Sequence, residues 1–176
     1  MVIEGLALAA FSNIRDHSTD PLASAVNAYV MQDEARHVAF GRLALRDYYP
    51  ELTQSERDER EEFLIEACYL MRDRFQNKEV WENLGYPMKE CLEFLENSQG
   101  MKMFRTNLFS RIVPIVKDIG LWGDKIQHAY GQMGILGFAN LDIDAMQAND
   151  MAVADEHDAR RKHVDETIAV GQSAAE

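Results

Sequence analysis

Sulfur chemistry, long apolar runs and positive charge are all scarce in this sequence, and each shortage narrows what the protein does. Only two cysteines occur in 176 residues, Cys68 and Cys91. Both sit inside helical patterns without metal-ligand spacing, so they read as small core residues of a reducing compartment, not as a disulfide frame or a thiolate metal site. No stretch approaches the roughly 18 uninterrupted apolar residues of a membrane span. The N-terminus also lacks the basic start and cleavage pattern of a signal peptide, so a cytoplasmic location is expected. Eighteen Lys and Arg stand against thirty Asp and Glu, a formal net charge of -12. A surface of that sign repels phosphate, which argues against nucleic acid and anionic membranes as partners and leaves cations welcome.

What the chain does have is helical periodicity. The apolar residues Ile3, Leu6, Ala7, Ala10, Phe11 and Ile14 recur at helical spacing from Val2 to Ile14. Asp20-Pro21 then forms a helix start, with Asp as cap and Pro in the first turn, for a helix running to about Tyr48, where Pro50 ends it. Thr53-Gln54-Ser55-Glu56 is a capping box for a third helix with Phe63, Leu64, Ala67, Cys68, Met71 and Phe75 on its apolar face. The charge run Glu56 to Glu62 reads as its solvated side. Gly85-Tyr86-Pro87 marks a turn. Further helices are expected over Met101 to Lys117, with Pro114 kinking or ending the first of them, and over Trp122 to about Leu136, weakened by Gly131, Gly134 and Gly137. Beyond Asn140 acidic residues dominate. The expected division is a helical domain over 1–140 and an acidic tail over 141–176, partly helical or disordered.

The chemistry concentrates in Gln32 to Gly41. Glu34 and His37 are one helical turn apart, so both side chains reach one metal ion if the segment is a helix. Val30, Val38 and Gly41 lie at helical offsets from Glu34, which predicts that the pair is on a buried face, where a carboxylate needs a cation or a hydrogen-bonding partner. Two readings stand: a metal-ligand pair, or a core His satisfied by a neighbouring Glu. Glu4 has Ala7, Leu8 and Phe11 at helical offsets, which makes it either a second inward carboxylate or an acid well placed in the first turn of a helix. Asp124 and His128, one turn apart, read as a local side-chain pair, and His157 and His163 as surface residues.

A two-metal carboxylate site in a four-helix bundle takes a Glu from each of two helices and a Glu-x-x-His from each of the other two. One of each is present here. The segment Ile3-Glu4-Gly5 through Asp33-Glu34-Ala35-Arg36-His37-Val38-Ala39-Phe40-Gly41 resembles the second half of the ferritin-like di-iron carboxylate proteins. It is most similar to the branch of ribonucleotide reductase small subunits, their ligand-binding oxidase relatives and the arylamine N-oxygenases. The resemblance implies an all-α, partial ferritin-like bundle of long antiparallel helices, with Glu4, Glu34 and His37 as metal ligands and Asp33 as an acid orienting a ligand His. It implies two irons in a complete site, with manganese possible, and an oxidoreductase that activates dioxygen to oxidise a small organic substrate. The family's first half, with the other Glu and the other Glu-x-x-His, is missing. Either the chain is a fragment of a longer protein, the favoured explanation, or two copies form a homodimer in which each gives half a site. The alternatives from other classes are a ferroxidase or iron-storage protein and a metal-free helical interaction domain.

Overall fold

The computed structural model describes residues Val2–Ser173, and among these every regular element is a helix. The protein is an all-α helical bundle. Helix α1 (Val2–His17) is followed after a three-residue turn by α2 (Pro21–Tyr48). The start of α2 is as predicted: Pro21 opens it, and Asp20 Oδ1 accepts the Leu22 N–H at 2.9 Å. A 3-10 turn containing Pro50, Tyr49–Glu51, closes it. Helix α3 (Gln54–Arg74) carries the predicted capping box, in which Thr53 and Glu56 satisfy each other's backbone N–H groups. Short helices α4 (Lys78–Asn83), α5 (Met88–Asn97) and α6 (Gln99–Asn107) come next.

The single helix expected over Met101 to Lys117 is in fact three pieces: the end of α6, a 3-10 turn over Leu108–Arg111, and α7 (Val113–Asp118). Pro114 explains the break, because it lacks an N–H for the preceding turn and suits only the first turn of a new helix. The helix expected from Trp122 is the shorter α8 (Asp124–Gln132). Gly134 at φ 72 follows its end, a left-handed conformation that a side chain resists. A 3-10 turn over Leu136–Asn140 leads into α9 (Ile143–Ser173). On α3 the periodicity misassigned two residues: Phe63 is exposed, whereas Glu61, placed on the solvated side, is buried. Glu61 Oε1 accepts the Gly123 N–H at 2.6 Å and thereby tethers the start of α8 to α3.

The core centres on the segment 108–121, where Phe109, Val113, Val116 and Leu121 are buried, and on Ile126 and Tyr130 of α8. Helix α1 lies along α2 and against the turn Leu108–Arg111. Gly5 permits that approach, since a Cβ there would meet Ile112 Cγ1 at 3.0 Å. Cys68 is a core residue as expected; burial pushes its thiol up to about 11, and its Sγ lies 3.6 Å from Tyr130 Oη. No helix among the described residues is long and apolar enough to cross a membrane.

The acidic segment after Asn140 behaves differently from a solvated tail through its first half. Helix α9 packs on α2, Ala154 is buried, and Tyr29 Oη donates to Asp158 at 2.8 Å. Asp150, only 6% exposed, is held by Arg15 of α1 at 3.0 Å and by Arg111 at 2.8 Å. Arg42 of α2 similarly joins Asp118 and Asp144, at 2.6 and 2.7 Å. Residues 174–176 of the expected tail lie outside the described residues. Removing one member of a buried charge cluster leaves the others desolvated and unpaired. Asp150→Ala is therefore expected to lower the unfolding free energy in urea by about 3–5 kcal/mol. The same change at the half-exposed Asp158 is expected to cost less than about 1 kcal/mol.

Candidate metal centre

Two antiparallel helices joined by a tight turn bring together residues equally distant from that turn. Glu4 and Glu34 are each fifteen residues from position 19, the middle of the α1–α2 connection. At 1.5 Å per residue each lies about 20 Å along its helix from the end nearest the turn, opposite the other. His37 is one turn beyond Glu34 on the same side of α2. Glu4, Glu34 and His37 accordingly converge: each offers one ligand atom, and these atoms all lie within 4.8 Å of one another. His37 Nδ1 is 3.5 Å from Glu34 Oε2. Among the described residues this trio is the one cluster of three or more His, Cys, Asp or Glu with such proximity. Two carboxylates and an imidazole suit iron or another first-row divalent ion better than a thiolate-seeking one.

The Glu34–His37 pair is not on a buried face, contrary to the expectation from Val30, Val38 and Gly41. The Glu34 side chain is 28% exposed and that of His37 is 61% exposed. Helix α2 carries apolar residues on two sides. Met31 and Val38 face the core of the chain, whereas Leu22, Val26, Val30 and Phe40 are exposed, Phe40 to 76%. At 100° per residue His37 falls in the middle of that exposed stripe, and Glu34 falls between it and the core. On α1, Ile3 and Ile14 are exposed in the same way. Helical periodicity identifies apolar faces but does not say which face its own chain covers, and here His37 is on the open one with Glu34 at its edge.

Asp33 stands elsewhere. Its carboxylate accepts from Arg36 at 2.9 Å, with both side chains well exposed, and it makes no described contact with His37. Asp124 and His128 belong, among the described residues, to no group of three or more potential ligands; His128 Nε2 lies 2.9 Å from Gln132 Nε2 on α8. His157 and His163 are on α9 and, among the described residues, belong to no group of three or more potential ligands. Sequence reasoning missed the two buried acids Asp150 and Glu61. Both had a visible signal: Met146 and Ala154 flank Asp150 at four residues, and Leu64, Ile65 and Cys68 follow Glu61 at three, four and seven.

Two carboxylates and an imidazole on facing helices are the donor types that carboxylate metal sites in helical bundles use. A family model described as P-aminobenzoate N-oxygenase AurF matches residues 11–120. The chain belongs to that family, which is one of di-iron, ferritin-like oxygenases. The matched residues include Asp33, Glu34 and His37 and begin after Glu4. No curated protein and no solved structure matches the chain.

If the three side chains act as one ligand set, removing two of them abolishes metal retention without loss of fold. Anaerobic titration with Fe(II) is expected to show the Glu34→Gln/His37→Asn chain at least about a hundredfold weaker than the parent, since even partners outside the ligand set contribute 10–100-fold. Asp33→Asn is expected to stay within about threefold, because Asp33 engages an exposed arginine whose pairing is worth little.

Proposed function

We propose that this chain supplies half of the ligand set of a two-iron oxygenase that uses dioxygen to oxidise an organic substrate. Glu4 and Glu34 serve as the carboxylates and His37 as the imidazole, and a further Glu and a second Glu-x-x-His come from a preceding segment or a second copy of the chain. The observation that carries this reading is the convergence of the trio at the border of an open apolar stripe. Carboxylates shared between metals work in water-excluded surroundings, yet Ile3, Val30 and Phe40 beside them are exposed, so this face is shaped to be covered. Membership of the di-iron family supports the same conclusion.

When bound, iron supplies the electrons and the activation of dioxygen; the protein supplies position and surroundings. Glu34 and His37 are held one turn apart by α2, whose opposite face is anchored through Met31 and Val38. Glu4 is fixed against them by the close contact of α1 with Ile112 at Gly5. The apolar residues around the trio exclude water once covered, which strengthens the hold of the carboxylates on a cation. The family description makes an aromatic amine the first substrate to assay.

Metal analysis tests the reading. The 176-residue chain is incubated with excess Fe(II) under anaerobic conditions, desalted, and measured for iron and for mass in solution. Retention of about one iron per chain, half the complement of a two-metal bundle, is the expected result. A chain that stays metal-free overturns the proposal. Uptake of many irons per chain, the behaviour of a storage protein, contradicts it as well.

A further inference from the structure

The open side of α2 is arranged symmetrically about the middle of the helix. Glu34 lies thirteen residues after Pro21 and fourteen before Tyr48, so the ligands of α2 are at its centre. At 100° per residue, eight side chains share one arc of about 80° on the open side, and they are balanced around position 35. Leu22 and Tyr48, Val26 and Ala44, and Val30 and Phe40 are equidistant from that position, and so are Asp33 and His37. All eight are exposed.

A two-fold axis crossing α2 at right angles near position 35 sets each member of a pair opposite the other member on a second copy of the chain. Apolar side chain then meets apolar side chain three times over, and the remaining pair sets an acid against an imidazole. Asp33 is already paired with Arg36 at 2.9 Å, so within this arc no like charges are opposed. A covering segment of unrelated sequence places no such demand on α2. Self-complementarity about one point is the requirement of a contact between identical surfaces.

The ligands have the same symmetry. Each copy carries a single Glu on its first helix, Glu4, and a Glu-x-x-His on its second, Glu34 and His37. Two copies therefore hold two single Glu and two Glu-x-x-His, the whole set of a two-metal bundle. We propose that a second copy of this chain covers the open face, α2 against α2 in antiparallel register about position 35, and completes the metal centre on the axis. The inference rests on the half-site reading above and names the partner that reading requires. It also makes pairing depend on metal. Four carboxylates gathered at one axis repel one another, and cations shared by both copies relieve that repulsion and stabilise the pair.

Light scattering on the 176-residue chain during anaerobic size-exclusion tests the pairing, with and without excess Fe(II). The expected mass with Fe(II) is twice 20.1 kDa, and association without metal is expected to be at least about tenfold weaker. Phe40→Glu sets a carboxylate opposite Val30 of the second copy. It should leave the helical content unchanged, since Phe40 is 76% exposed, yet weaken association at least about tenfold by burying an unpaired charge. A short bismaleimide, which needs no oxidant, reads the register. It should link Fe(II)-loaded chains of the Val26→Cys/Ala44→Cys variant into dimers. Val26→Cys alone should not be linked, because the two copies of position 26 lie about 27 Å apart along the helices. A chain that stays monomeric while retaining about one iron overturns this inference and leaves the half-site reading standing, with another segment as the cover. A monomer that retains no iron overturns both. A dimer indifferent to Phe40→Glu, or linked equally well through Val26→Cys alone, uses another face or register and overturns the inference.

Discussion

The structure depends first on the antiparallel pairing of α1 and α2. A turn of three residues leaves no freedom in register, so the position of every residue on α1 relative to α2 is set by its distance from that turn. Glu4 and Glu34 meet because they are equally far from it, and His37 joins them because a helix repeats every 3.6 residues. The cost of gathering two carboxylates in one place is their mutual repulsion. A bound cation would offset it, and the imidazole offers a further ligand atom to the same centre.

The rest of the chain keeps that pair of helices rigid from behind. Helix α9 lies along α2, and the buried Asp150 between Arg15 and Arg111 links α9, α1 and the turn before α7 at one point. Arg42 makes a second such link to Asp118 and Asp144. On the opposite side nothing in the described chain covers the stripe of Leu22, Val26, Val30 and Phe40. One side of α2 is therefore braced by ion pairs and core packing, and the other presents ligands amid apolar residues. Helices apolar on two sides are ordinarily buried on both, which is the basis of the half-site proposal.

Much of this was legible in the sequence where the signal is local. Asp20-Pro21, the Thr53–Glu56 box and the spacing of Glu34 and His37 each act within one turn of helix, and the structure has all three elements where these residues place them. Long-range facts were less legible. The exposure of His37 depends on what lies beyond α2, and the burial of Asp150 depends on arginines that are 135 and 39 residues away. Acidic composition after Asn140 suggested solvation, yet the charge of Asp150 is neutralised by partners that only the fold supplies. Glu61 was misplaced because the charge run around it outweighed its apolar neighbours at three, four and seven residues, and its partner, a backbone N–H at Gly123, is supplied only by the fold.

The central claim is that Glu4, Glu34 and His37 bind one and the same cation. Anomalous diffraction at the iron edge, from crystals grown anaerobically with Fe(II), tests it most directly. The account predicts a peak at coordination distance from both carboxylates and from the His37 imidazole, about 2.0–2.2 Å from each ligand atom, the range for nitrogen and oxygen donors on a first-row divalent metal. A peak bound elsewhere, or iron-soaked crystals with none between these three side chains, would contradict it.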